Sequence, residues 1–82
     1  MIKYKHQAQN NAVSLATFSR RWEMLGMHGQ QLGEVGACGI DLLSGQVLYL
    51  VLDTPWQELT IPWQNVSVDT AAGTFQLRSA PP

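Results

Sequence analysis

From Arg21 onward the chain is cut into short segments in which apolar and polar residues alternate, with turn-forming residues between them. Alternation with a period of two puts successive side chains on opposite faces of an extended strand. On this reading Trp22-Glu23-Met24-Leu25 forms a first strand. Met27-His28-Gly29-Gln30 is a turn, and Gln31 to Leu42 is a long second strand containing Gly33, Gly36 and Gly39. Glycines inside a strand mark bulges or tight bends, so these three are taken as bending sites. Asp41-Leu42-Leu43-Ser44-Gly45 is a hairpin turn in which Asp and Ser bond nearby backbone and Gly takes the left-handed conformation. Gln46 to Asp53 is the third strand and the strongest β signal in the chain. Thr54-Pro55-Trp56 interrupts the pattern because proline cannot donate to a ladder. Gln57 to Ile61, Asn65 to Asp69 and Thr74 to Arg78 complete the set, with Leu59, Ile61, Val66, Val68, Phe75 and Leu77 expected to point inward.

Short strands with regular turns and no intervening helical stretch predict an all-β fold. One apolar face per strand covers a single interior better than two separate sheets. The expected architecture is therefore a small six-stranded antiparallel barrel, built from hairpins between Arg21 and Arg78. Residues 1–18 differ: Gln7-Ala8-Gln9-Asn10-Asn11 has neither period, and a flexible N-terminal arm is expected there. A short ordered piece near Val13 to Phe18 is allowed for, with helix as an alternative because Ala12, Leu15, Ala16 and Phe18 could share a face. The barrel domain is placed at 19–79, and the proline-ended residues 80–82 as a tail.

Composition narrows the possible functions. At 82 residues the chain holds one domain, whose core alone leaves a net stability of about 3–5 kcal/mol. Cys38 is the only cysteine, so no disulfide can form within the chain, and one Cys with two distant His gives no zinc-ligand spacing. The formal net charge is −1 and the cations Lys3, Lys5, Arg20, Arg21 and Arg78 are scattered, unlike the concentrated basic face of a nucleic-acid binder. Val47 to Leu52, the longest apolar run, is far below the ~20 residues of a spanning helix. A lone cysteine with no export signal is expected of a cytoplasmic protein.

The third strand carries the strongest functional pointer. Val47, Tyr49 and Val51 face one way and Leu48, Leu50 and Leu52 the other, yet a small barrel has a single interior. One apolar row is left for a partner, most simply a second copy of the chain, or for another part of the same chain to cover. Leu48, Leu50 and Leu52, with Trp56 at the rim of the patch, are the candidate partner-binding residues. Trp56 stands in a turn beside Pro55, whereas Trp63, after Pro62, is expected in the core. No nucleophile motif, phosphate-binding glycine loop or metal-ligand spacing is present, so no catalytic residue, metal or cofactor is assigned and the chain is not expected to be an enzyme. His6 and His28 are expected to be solvated, and Asp41 and Asp69 to cap turns. Asp53 and Glu58 could meet across the Pro55 turn, and Cys38 is expected to be a small buried hydrophobe.

Four segments, in order and spacing, resemble the PRC-barrel domain family. Gly29-Gln30-Gln31-Leu32-Gly33-Glu34-Val35 is similar to its opening motif, and Ile40-Asp41-Leu42-Leu43-Ser44-Gly45-Gln46-Val47-Leu48-Tyr49-Leu50-Val51-Leu52 to its central hairpin. Ile61-Pro62-Trp63-Gln64-Asn65-Val66 and Gly73-Thr74-Phe75-Gln76-Leu77 resemble its later strands. The resemblance covers roughly Phe18 to Arg78, although Phe18 to Arg21 lacks the glycine that usually opens the family's first strand. Members include a cytoplasmic barrel of the photosynthetic reaction centre and the C-terminal domain of a ribosome maturation factor. The membrane helix attached to the first and the N-terminal domain of the second have no counterpart in these residues, so neither specific role carries over. The resemblance implies a small β-barrel acting as a non-catalytic protein-interaction or assembly module, here a homodimer or the partner of another protein. The alternatives are an RNA- or ribosome-associated maturation factor and a small ligand-binding barrel.

Overall fold

The computed structural model describes residues 12–78. The expectations attached to residues 1–11, including the Lys3–His6 cluster, and to 79–82 lie outside the described residues. The six strands are β1 (Val13–Leu25), β2 (Gln31–Asp41), β3 (Val47–Asp53), β4 (Glu58–Pro62), β5 (Val66–Asp69) and β6 (Thr74–Leu77), with a 3-10 turn at Trp63–Asn65 between β4 and β5. They form one sheet in the order β4-β3-β2-β1-β6-β5.

The all-β class and the strand number agree with the alternation in the sequence, but the closed antiparallel barrel does not. The sheet is mixed and curls only into a half-barrel. The reason lies in the link after β4. Each of the first three connections reverses the chain, whereas Trp63–Asn65 carries it across without a hairpin, so β5 runs in the same sense as β4. β6 then turns back on β5 and comes to lie parallel to β1, pairing Glu23 with Thr74, Met24 with Phe75 and Leu25 with Gln76. β4 and β5 end the order on opposite sides, and the seam between them stays open.

β1 also begins earlier than the sequence pattern suggests. Residues 13–18, left with the arm by that pattern, are strand, and Val13 to Thr17 pair antiparallel with Asp41 to Ala37. Pairing with β2, rather than a strong local period, makes this segment extended. Between Thr17 and Trp22 the four residues Phe18 to Arg21 stand against the single residue Gly36, a large bulge that bends the strand. The β2–β3 register also shifts at Gly36, whereas at the second shift the extra residue is Leu48 of β3. Of the three strand glycines only Gly36 is a bulge site, and a Cβ at Gly39 would lie 2.3 Å from the Tyr49 ring. Gly33 likewise allows a close approach: a Cβ there would lie 2.1 Å from the Asp53 carbonyl oxygen.

The turns follow their residue chemistry. The Asp41 carboxylate accepts from the Leu43 N–H at 3.0 Å and from the Ser44 hydroxyl at 3.1 Å, and Gly45 takes φ +76°. Asp69 accepts from the Ala72 N–H at 3.0 Å, so both aspartates cap turns as expected.

The core sits on the concave face and comprises Met24, Val35, Cys38, Leu50, Leu52, Ile61, Val66 and Phe75. Phe75 is its aromatic centre: Trp22 stacks on it at 5.0 Å between ring centroids and Trp63 meets it edge-on at 6.3 Å. Trp63 is thus partly buried against the core, as expected. Leu59 and Val68 stay more than a third exposed, because they sit on the strands that border the open seam.

This packing has two measurable consequences. Gly33→Ala drives a methyl into backbone that cannot move aside. It should lower unfolding free energy by about 1–3 kcal/mol or more in urea titration. Burial pushes the Cys38 thiol above its ordinary value of 9.0, so the folded state favours the neutral form. Stability should hold up to about pH 9 and fall above it, where the unfolded chain ionises its thiol first. Denaturation midpoints against pH, compared with Cys38→Ala, check this, since the variant should lose that part of the alkaline slope.

Candidate functional site

The four residues chosen from the sequence as a contact surface do not form one. Leu50 and Leu52 are the residues of β3 that face the core, at 1% and 2% exposure, and they offer nothing to a partner. Tyr49 and Val51 face outward, each half-buried, whereas Val47, beyond the register shift at Leu48, packs against the core. Leu48 and Trp56 are exposed, but they lie near opposite ends of β3, roughly 20 Å apart at the usual strand rise.

Trp56 is 87% exposed and projects from a turn closed by the Thr54 N–H, which donates to the Gln57 carbonyl at 2.9 Å, and by the Thr54 hydroxyl. Thr54 Oγ1 accepts from the Trp56 and Gln57 N–H groups at 3.3 and 3.0 Å and donates to the Gln57 carbonyl at 2.8 Å. At the other end of the sheet the fold gathers exposed leucines, of which sequence reasoning chose Leu48 and passed over the other three. Leu15 lies near the start of β1, Leu42 and Leu43 in the β2–β3 turn and Leu48 near the start of β3. The Leu42 N–H donates to the Ala12 carbonyl at 2.7 Å, which ties that turn to the start of β1. Two adjacent leucines between Asp41 and Ser44, in a turn that needs no apolar residue, were the available signal.

The convex face carries a different constellation. The strand registers place Glu23, Glu34, Asp53 and Glu58 in one row across β1, β2, β3 and β4. Like charges directly opposite one another destabilise a sheet. Arg21, released from regular pairing by the β1 bulge, lies over this row. Its Nε donates to Glu34 at 2.9 Å and its Nη2 to Asp53. The hydrogen bonds it donates to Asp53 and then Glu34 hold the guanidinium still more firmly in its charged form. Gly36 makes room for it, since a Cβ there would stand 2.9 Å from Arg21 Nη1.

Asp53 and Glu58 do become neighbours, as the sequence suggested, but the Asp53 carboxylate is engaged by Arg21. An open groove of about 340 Å³ runs over the same face from Leu15 past Tyr49 and Val51 to Asp53 and Glu58. His28 is exposed and its backbone N–H donates to Gln30 Oε1 at 3.0 Å. Among the described residues no group of three or more His, Cys, Asp or Glu could hold a metal ion. No family model matches the chain, and no curated protein matches it.

The Arg21 arrangement makes a salt-dependent prediction. In the native protein added salt screens attraction between Arg21 and the two carboxylates, so thermal stability should fall slightly. In Arg21→Gln the uncompensated carboxylate row repels itself, so the melting temperature should start lower and rise with salt. A melting series in sodium chloride distinguishes the two signs.

Proposed function

We propose that this chain is a non-catalytic, cytoplasmic protein-interaction and assembly module of the PRC-barrel type that associates with itself. The observation that carries this reading is the incomplete sheet. A half-barrel with an open seam leaves strand edges unpaired among the described residues, and exposed Leu15, Leu42, Leu43 and Leu48 collect at one end of it. Exposed apolar groups that gather rather than scatter usually mark a contact surface. Trp56, solvated on its turn at the other end, suits a second contact with another protein.

The electrostatics agree better with a protein partner than with RNA. The described cations are Arg20, Arg21 and Arg78, and Arg21 is engaged by carboxylates. No described helix is long and apolar enough to cross a membrane.

The deciding measurement is sedimentation equilibrium over a range of concentrations. A mass approaching twice 9.1 kDa supports self-association, and a mass that stays at 9.1 kDa at every concentration rejects it. Trp56→Ala should leave unfolding free energy within about 0.5 kcal/mol of the parent, because the indole covers no core.

A further inference from the structure

The first half of β1 has one free edge, and the ladder geometry shows which groups it presents. The Leu42 N–H bonds the Ala12 carbonyl, which makes Ala12 and Leu42 a hydrogen-bonded pair. Such pairs alternate along an antiparallel ladder, so Ser14 with Ile40 and Ala16 with Cys38 are the next two. Val13, Leu15 and Thr17 therefore turn their N–H and C=O groups away from β2. β6 pairs only with Glu23, Met24 and Leu25, and among the described residues no strand lies along Val13 to Phe18 on that side.

The sheet's other edges carry features that discourage pairing. β4 has Glu58 and Pro62 at its ends, and β5 is four residues long and ends in Asp69. Val13-Ser14-Leu15-Ala16-Thr17-Phe18 has no charge and no proline.

Resting on the self-association reading, we propose that two copies of this chain pair antiparallel through this edge, with Leu15 on the twofold axis. The segment is complementary to itself in that register. Leu15 meets Leu15 of the partner subunit, and Val13 meets Thr17 of the partner subunit, β-branched against β-branched. Each of these pairs exchanges both of its N–H···O bonds, and no like charges are brought together. On the free-edge side only β6 and β5 follow, at the far end of β1, so antiparallel pairing carries the β6–β5 pairs of the two copies to opposite ends. The Leu15 side chain, 61% exposed in one chain, is covered by its twofold mate.

The test uses two variants of the full chain with the parent, read by sedimentation equilibrium and by amide hydrogen exchange. Leu15→Pro removes an N–H that faces the free edge and breaks no β1–β2 bond. Leu15→Lys keeps the N–H but sets two cations on the axis, and it decides the matter if the proline variant fails to fold. The proposal expects a dimeric parent whose Leu15 and Thr17 amides become protected as concentration rises, while Ser14 and Ala16 are protected throughout. It expects Leu15→Lys to sediment as a monomer with an unchanged circular dichroism spectrum. A dimeric parent with unprotected Leu15 and Thr17 amides, or a Leu15→Lys variant as dimeric as the parent, overturns the edge pairing and leaves self-association standing. A parent that is monomeric at every concentration overturns both.

Discussion

The structure depends on one strand serving two partners in succession. β1 pairs with β2 along its first part, then bends, and along its last part also takes β6 on its other side. The bend is the bulge in which Phe18 to Arg21 oppose Gly36. Without it a thirteen-residue strand would run on as a single flat edge, and β6 could not bring Phe75 against Met24 and Trp22. The bulge also sets Arg21 free of regular pairing, so the residue that marks the bend bonds two of the four carboxylates in the row beside it. Geometry and electrostatics meet at Gly36, where the missing Cβ leaves room for the guanidinium.

The half-barrel has direct consequences for exposure. A closed barrel would bury the inward residues of every strand. Here the strands bordering the seam leave Leu59 and Val68 partly open, while Leu50 and Leu52 are sealed, because β3 has a paired neighbour on each side. The large side chains of the core are concentrated on β1, β2 and β3 and are closed off by Phe75 and Val66 from the later strands. Apolar surface that the sheet does not cover lies at its ends and along its free edges. The concave face, by contrast, is filled by the chain's own side chains.

Much of the fold was legible in the residues. Period-two alternation marked β3 to β6 within a residue or two, and Asp41, Gly45, Asp69 and Pro55 marked their turns by chemistry that acts over two or three residues. The start of β1 was not legible, because Val13 to Phe18 is extended through hydrogen bonds to residues about twenty or more positions away. The contact surface was legible only in part. Trp56 and Leu48 are exposed, but which row of β3 faces the core depends on the side from which β6 and the 3-10 turn pack, and alternation is symmetric with respect to that choice.

The class of fold, the number of strands, the turns and the burial of Cys38 could all be read along the chain, since each follows from local conformational preference or from the short range over which alternation acts. The sense of β6, the open seam, the alignment of Glu23, Glu34, Asp53 and Glu58, and the gathering of Leu15, Leu42, Leu43 and Leu48 emerged only when the strands were assembled. These are matters of register and of the path between strands. They arise from pairings between distant segments, and such pairings leave no period in the chain to be read.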